Sequence, residues 1–182
     1  MARSVPPRST LAAAPPAARP LYTAEERRRR DASRWTLVQG VLAPLQFLVF
    51  AVSAVLVVRF LLTGQGLAAA NISVVVKTIA LYAIMYTGAL WEHDVYGRYL
   101  FAPAFYWEDM VSMVVIALHT AYLYALATDA LAPRPLMFLA LAAYATYVVN
   151  AAQFVLKLRA ARRAAPDAPR GALVAAAHAE LA

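Results

Sequence analysis

The sequence predicts an all-α, polytopic integral membrane protein with four transmembrane helices and both termini in the cytoplasm. Three observations predict it. Of 182 residues, 63% are hydrophobic and only 15% are charged, against about a quarter charged in ordinary soluble domains. The apolar residues fall into four runs long enough to cross a hydrocarbon core of about 30 Å. The basic residues gather at the two ends of the chain and flank those runs, which is how topology is set in membranes. A formal charge of +7 in that arrangement fits anionic lipid headgroups and excludes nucleic acid as the expected partner. With no cysteine, disulfides, thiolate metal sites and cysteine nucleophiles are excluded.

Residues 1–20 are rich in Pro and Ala with scattered Arg. They contain no uninterrupted apolar core of signal-peptide length, so a disordered tail is expected. Residues 21–34 read as a basic amphipathic surface helix. Thr23 with Glu26 three residues on is a capping-box pattern, and Glu25 and Glu26 suit the first turn. Arg27 to Arg30 are expected at lipid phosphates. Residues 35–163 form the four-helix membrane domain, with spans at about 35–62, 72–91, 108–128 and 136–157. Trp35 to Val58 carries no charge, Pro44 is a candidate kink, and Arg59 can snorkel outward. Thr63 to Gly66 reads as a turn. Lys77, about one and a half turns inside the second span, is expected to snorkel to the far surface. Asp129 to Pro135 breaks the chain before the fourth span, a basic amphipathic stretch follows it, and residues 164–182 read as a second disordered tail.

With four spans the two basic ends lie on one side. Arg27 to Arg30 and Arg34 flank the first span, and Lys157, Arg159, Arg162 and Arg163 follow the last. The opposite connections hold only Arg59, Asp129 and Arg134. Both termini and the 91–109 connection are therefore expected in the cytoplasm.

That connection opens the stretch Trp91 to His119, where the candidate chemistry lies. It holds Glu92, Asp94, Glu108 and Asp109, two of three histidines and two of three tryptophans. Its plain reading is an aromatic belt between two spans. On a helix, Glu108, Ser112, Val115, His119 and Tyr122 share a sector of about 80°. An acid at the mouth and a histidine about three turns deeper thus lie on one stripe. Glu108 and Asp109 also suit a helix N-terminus as dipole partners. For His119 three roles stand open: a neutral imidazole bonded to a neighbour, a ligand, or a proton carrier. His93 lies at the interface and His119 deep, so a bis-histidine haem is disfavoured. Tyr82 with Tyr86, Tyr144 with Tyr147, and Asn150 with Gln153 are explained by interhelical packing and hydrogen bonding. They also suit a slot for a large planar ligand.

The segments LYTAEERRRRDASRWTLVQGVLAPLQFLVF, WEHDVYGRYLFAPAFYWEDMVSMVVIALHTAYLYAL and AAYATYVVNAAQFVLKLR resemble the vinyl bacteriochlorophyllide hydratases of bacteriochlorophyll biosynthesis. The resemblance covers about residues 21–163 and is most distinctive at FAPAFYWEDMVSM. It implies addition of water to the vinyl group of a magnesium chlorophyllide, giving a 1-hydroxyethyl group. The vinyl is numbered 2 in older ring numbering and 3 in current numbering. No catalytic residues are carried over from the family. The resemblance further implies a bacterial inner membrane, cytoplasmic or intracytoplasmic, and contact with lipid and with other pigment-biosynthesis enzymes.

Hydration of an aryl-type vinyl group begins with protonation of its terminal carbon. Water then attacks the carbon attached to the macrocycle, whose π-system has delocalised the cation. This chemistry needs no cofactor and no metal of the protein's own; it needs a carboxylic acid kept protonated in a dry site. Glu108 is the first candidate acid, with Asp109 or Glu92 as base for the attacking water. His119 is a candidate proton relay, and His119 or His93 a candidate ligand to the substrate's magnesium. Arg98 is a candidate partner for the pigment's propionate. Asp94, Tyr99, Phe105, Trp107, Tyr122 and Asn150 complete the candidate substrate-binding set, the aromatics by stacking. The competing expectation is a non-enzymatic membrane protein that binds or assembles pigment in the same slot.

Overall fold

The computed structural model describes residues 21–164. Five helices follow one another: α1 Ala24–Ala32, α2 Arg34–Thr63, α3 Leu67–Tyr96, α4 Tyr106–Ala127 and α5 Pro133–Ala164. The described residues contain no strand. Four helices are long and apolar enough to span a membrane: Arg34–Thr63, Leu67–Tyr96, Tyr106–Ala127 and Pro133–Arg162. The expected tails, 1–20 and 164–182, lie outside the described residues except for Ala164, which ends α5.

Local chemistry explains the element ends. The Thr23 hydroxyl accepts from the Glu26 amide at 3.2 Å, and the Glu26 carboxylate accepts from the Thr23 amide at 2.7 Å. This completes the expected capping box. The arginines of α1 are partly engaged within the protein. Arg29 pairs with Glu25, and Arg30 pairs with Asp31 while lying 4.8 Å from the Tyr22 ring centroid. Burial pushes the Tyr22 hydroxyl up from its ordinary range, with Arg30 partly offsetting it. Tyr22 thus stays neutral and stacks on Tyr96 with centroids 6.1 Å apart, pinning the residues just before α1 to α3.

Ser33 is extended, with φ −74° and ψ 125°, and so separates α1 from α2. Its hydroxyl accepts from the Trp35 amide at 3.2 Å and donates to Asp94 at 2.7 Å. One side chain thereby caps α2 and ties the joint to α3. Ser33→Ala is expected to cost about 1 kcal/mol of stability, the usual worth of a serine cap. Thermal unfolding in a lipid mimetic checks this, and an unchanged midpoint would show that the joint does not depend on the cap.

Gly64 and Gly66, at φ 72° and 84°, turn the chain between α2 and α3. Gly97, at φ 72°, ends α3 with its amide bonded to the His93 carbonyl at 2.9 Å. The aligned apolar runs under-read the helices at both ends of α3. It starts at Leu67 rather than about residue 72, and it carries Trp91 to Tyr96 as its last turns. Only residues 97–105 separate α3 from α4, so about half of the expected 91–109 connection is helix. Polar side chains do not stop a helix whose backbone bonds remain internal; the left-handed glycine does. Likewise the basic stretch after the fourth span continues α5 without a break.

The long helices touch in the order α2, α3, α4, α5 and back to α2, an up-and-down bundle, and α1 lies on α3. Val57, Phe60, Val74, Tyr122, Met137 and Tyr144 fill the half of the core away from the termini. Small polar groups knit the helices together, as in membrane bundles generally. Ser53 bonds Ser73 at 2.7 Å and Tyr144 at 2.5 Å; Gln39 bonds Thr87 at 2.7 Å; Tyr122 donates to Asn71 at 2.9 Å. The outward faces expose Leu48, Val55, Leu62, Ile79 and Phe138, an apolar surface suited to lipid.

Candidate active site

The buried stripe of α4 comprises Glu108, Asp109, Ser112, Val115, His119, Tyr122 and Ala125. It includes every member of the stripe that helical periodicity placed on one face. α4 therefore turns its polar residues into the bundle, and its first turn meets the last turns of α3 and α5. Three carboxyls collect there. Glu92 is 4% exposed, and Glu108 and Asp109 are each 6% exposed.

Their surroundings differ. Glu108 forms an ion pair with Lys157 of α5, whose ammonium also donates to the Ala104 carbonyl. Asn150, two turns before Lys157 on α5, donates to the Glu108 carbonyl at 2.9 Å and to the Ser112 hydroxyl at 2.7 Å. α5 thus grips the first turn of α4 at the acid. Asp109 accepts the Phe101 amide at 2.7 Å. That bond holds Phe101 at φ 59°, a left-handed conformation costly for a bulky residue. Neither oxygen of Glu92 makes a hydrogen bond of normal geometry with a protein donor; its polar neighbours are the Asp109 carboxyl and the Ala102 backbone amide. Two adjacent carboxyls can satisfy each other only when one carries a proton and donates it, since a carboxylate only accepts.

An aromatic wall backs the carboxyls. Phe105 lies 5.7 Å from Trp91, 6.0 Å from Tyr96 and 5.7 Å from Phe154, the last in a stacked pair. Phe105 is therefore part of the core and not a free stacking surface. Tyr122 is fully buried against Asn71 on the other half of the bundle, and Asp94 is spent on Ser33. The structure leaves Arg98, Tyr99, Tyr106 and Trp107 exposed around the carboxyls, Trp107 at 71%. His93 is exposed and stacks on Tyr99 with centroids 4.3 Å apart. His119 is fully buried, with Nδ1 bonded to the Val115 carbonyl at 2.8 Å. It lies about 16 Å deeper than Glu108 at 1.5 Å per residue. No group of three or more potential metal ligands occurs among the described residues. A shallow apolar depression of about 520 Å³ on α2, lined by Val55, Val58, Arg59 and Leu62, sits at the other end and holds no acid.

Sequence reasoning missed Lys157, which it assigned to the basic flank of the last span. The signal was present: Asn150 and Lys157 are seven residues apart, on one helical face, and a buried Glu108 requires a partner. Lys77 does not snorkel. Ten residues of α3 precede it, about 15 Å of helix, beyond the reach of its side chain. It is fully buried, with its ammonium 3.8 Å from the Tyr147 ring centroid.

Four helices of membrane-spanning length enclosing carboxyls and a lysine at one end define a polytopic helical membrane protein with titratable groups in its interior. The chain belongs to the 2-vinyl bacteriochlorophyllide hydratase (BCHF) family, whose model matches residues 22–160. It is 63% identical over 159 residues to the 2-vinyl bacteriochlorophyllide hydratase of Rhodobacter capsulatus, covering 87% of this chain and 92% of that one. It is 66% identical over 145 residues to the 2-vinyl bacteriochlorophyllide hydratase of Cereibacter sphaeroides, covering 79% of this chain and 89% of that one. No solved structure matches the chain.

Proposed function

We infer that this protein is a hydro-lyase that adds water to the vinyl group of a bacteriochlorophyllide-type tetrapyrrole. Family membership and high identity to two hydratases support the activity. The observation that carries the residue-level reading is the division of three buried carboxyls into one ion-paired group and one acid-acid pair. Glu92 and Asp109 between them hold the proton that goes to the terminal vinyl carbon. Glu108, the anionic member of the pair with Lys157, takes a proton from the water that attacks the ring-attached carbon. One proton is delivered to carbon and one is taken from water, so the sum is addition of one water with no change in redox state. The sequence alone favoured Glu108 as the acid; its ion pair supports the base role instead.

The macrocycle lies at the interface, against the exposed rings of Tyr99, Tyr106 and Trp107. Arg98 receives its propionate and His93, the exposed histidine of the site, its magnesium. His119 is too deep for that ligand role. The solvent is the only oxygen source in this scheme. Membranes carrying the protein, supplied with a 3-vinyl chlorophyllide in heavy-oxygen water, are expected to yield a 1-hydroxyethyl product with the label in the new hydroxyl. Pigment bound but never hydrated would remove the enzymatic reading.

We further propose that both termini face the cytoplasm and that the membrane is the bacterial inner membrane. Arg27, Arg28, Arg34, Arg159 and Arg162 lie at the end of the bundle that bears the carboxyls, suited to anionic headgroups. A tag inserted between Gln65 and Gly66 is expected on the periplasmic face, opposite tags at either terminus. A cytoplasmic signal from that turn would overturn the orientation.

A further inference from the structure

We propose that Gln46, Lys77 and His119 enclose an internal water site in the middle of the bundle, separate from the carboxyl cluster. Each of three helices contributes one of these side chains, Gln46 from α2, Lys77 from α3 and His119 from α4, and α5 adds Tyr144 and Tyr147. Lys77 and His119 are fully buried and Gln46 is 5% exposed. Yet Lys77 Nζ, His119 Nε2 and Gln46 Oε1 all lack a hydrogen-bond partner. Three such orphans at one level of a well-packed bundle are rare, because each carries the full desolvation penalty.

The groups are neighbours. The Lys77 ammonium lies over the Tyr147 ring, Gln46 lies beside the Tyr147 hydroxyl, and Lys77 is a neighbour of His119. The His119 ring is 5.9 Å from that of Tyr144. No acid of any helix stands at this level. Asp94, Glu92, Glu108 and Asp109 are all at the carboxyl end, and Asp129 is beyond the opposite end of α4.

Hydrogen-bond roles select the occupant. A carbonyl can only accept, so His119 Nδ1 carries the proton bonded to Val115, which leaves Nε2 of the neutral ring as an acceptor. The site therefore offers one donor, Lys77, and two acceptors, His119 Nε2 and Gln46 Oε1. An anion accepts only and would face two lone pairs. A cation would face an amine that has no acceptor role while it is charged. Water accepts one bond and donates two, and needs two to four polar partners in a buried site.

The test uses the full chain in lipid nanodiscs with ¹⁵N-labelled histidine, its His119 signal assigned by loss in His119→Phe. The expected spectrum shows the Nδ1–H tautomer with magnetisation transfer from water at His119. An Nε2–H tautomer, or no transfer from water, overturns the proposal. A thermal cycle adds a second readout. Lys77→Met and His119→Phe each lower the melting temperature by leaving the other groups and the water unsatisfied. The double variant is expected to lose clearly less than the sum of the two shifts, because both ends of the network are gone. Additive shifts overturn a shared site. A melting temperature that rises with chloride but not with a bulky organic anion overturns water in favour of a bound halide.

Discussion

Glu92→Gln is expected to bind a vinyl chlorophyllide as the unaltered protein does and to hydrate it at least about a hundredfold more slowly. General acid catalysis is worth about 10²–10⁴-fold, and the loss falls on turnover because the proton reaches carbon only in the transition state. The substitution is nearly isosteric. Its amide can donate to the neighbouring Asp109 carboxyl as a protonated Glu92 would, so the pair stays satisfied while the transferable proton is removed. Asp109→Asn keeps an oxygen for the Phe101 amide and so preserves the loop. It should likewise slow turnover, since the two carboxyls hold the proton between them. Single-turnover rates beside equilibrium pigment binding separate the two effects. Wild-type turnover in both Glu92→Gln and Asp109→Asn would show that this pair does not supply the proton.

Lys157→Met should damage both stability and catalysis. Glu108 retains only 8% side-chain exposure, whereas Lys157 retains 27%. Removing the lysine leaves a buried carboxylate without its counter-charge, a change worth about 3–5 kcal/mol for a fully buried pair. Screening at the partly exposed lysine lowers the expected loss to about 2 kcal/mol. The base loses its anchor, so hydration should slow even where the protein remains folded. The companion variant Glu108→Gln with Lys157→Met removes both charges. It should regain most of the lost thermal stability and none of the activity. A double variant no more stable than Lys157→Met alone would show that the pair does not hold α4 to α5.

Three further elements show how local chemistry and tertiary packing share the result. The capping box at Thr23 and Glu26 formed as written because all its partners lie within one turn. The α4 stripe from Glu108 to Tyr122 was legible for the same kind of reason: 3.6-residue periodicity orients a helix before any neighbour is known. The end of α3 was not legible from hydropathy. Charged residues mark where a span leaves lipid, while Gly97 marks where the helix stops.

The sequence by itself determined four membrane-crossing helices, the side of the bundle that collects acids and aromatics, and the face of α4 that turns inward. Those properties depend on composition and on spacing within one helix. Only the tertiary structure decided which acid meets which partner. Lys157 and Glu108 are 49 residues apart, and the neighbourhood of Glu92 and Asp109 depends on how α3 and α4 meet across residues 97–105. It also decided that Lys77, Gln46 and His119 are buried in the core with polar atoms that no protein group satisfies. Hydropathy records how polar a residue is, but whether a buried charge is paired, shared or left to water is set by helices that are distant in sequence.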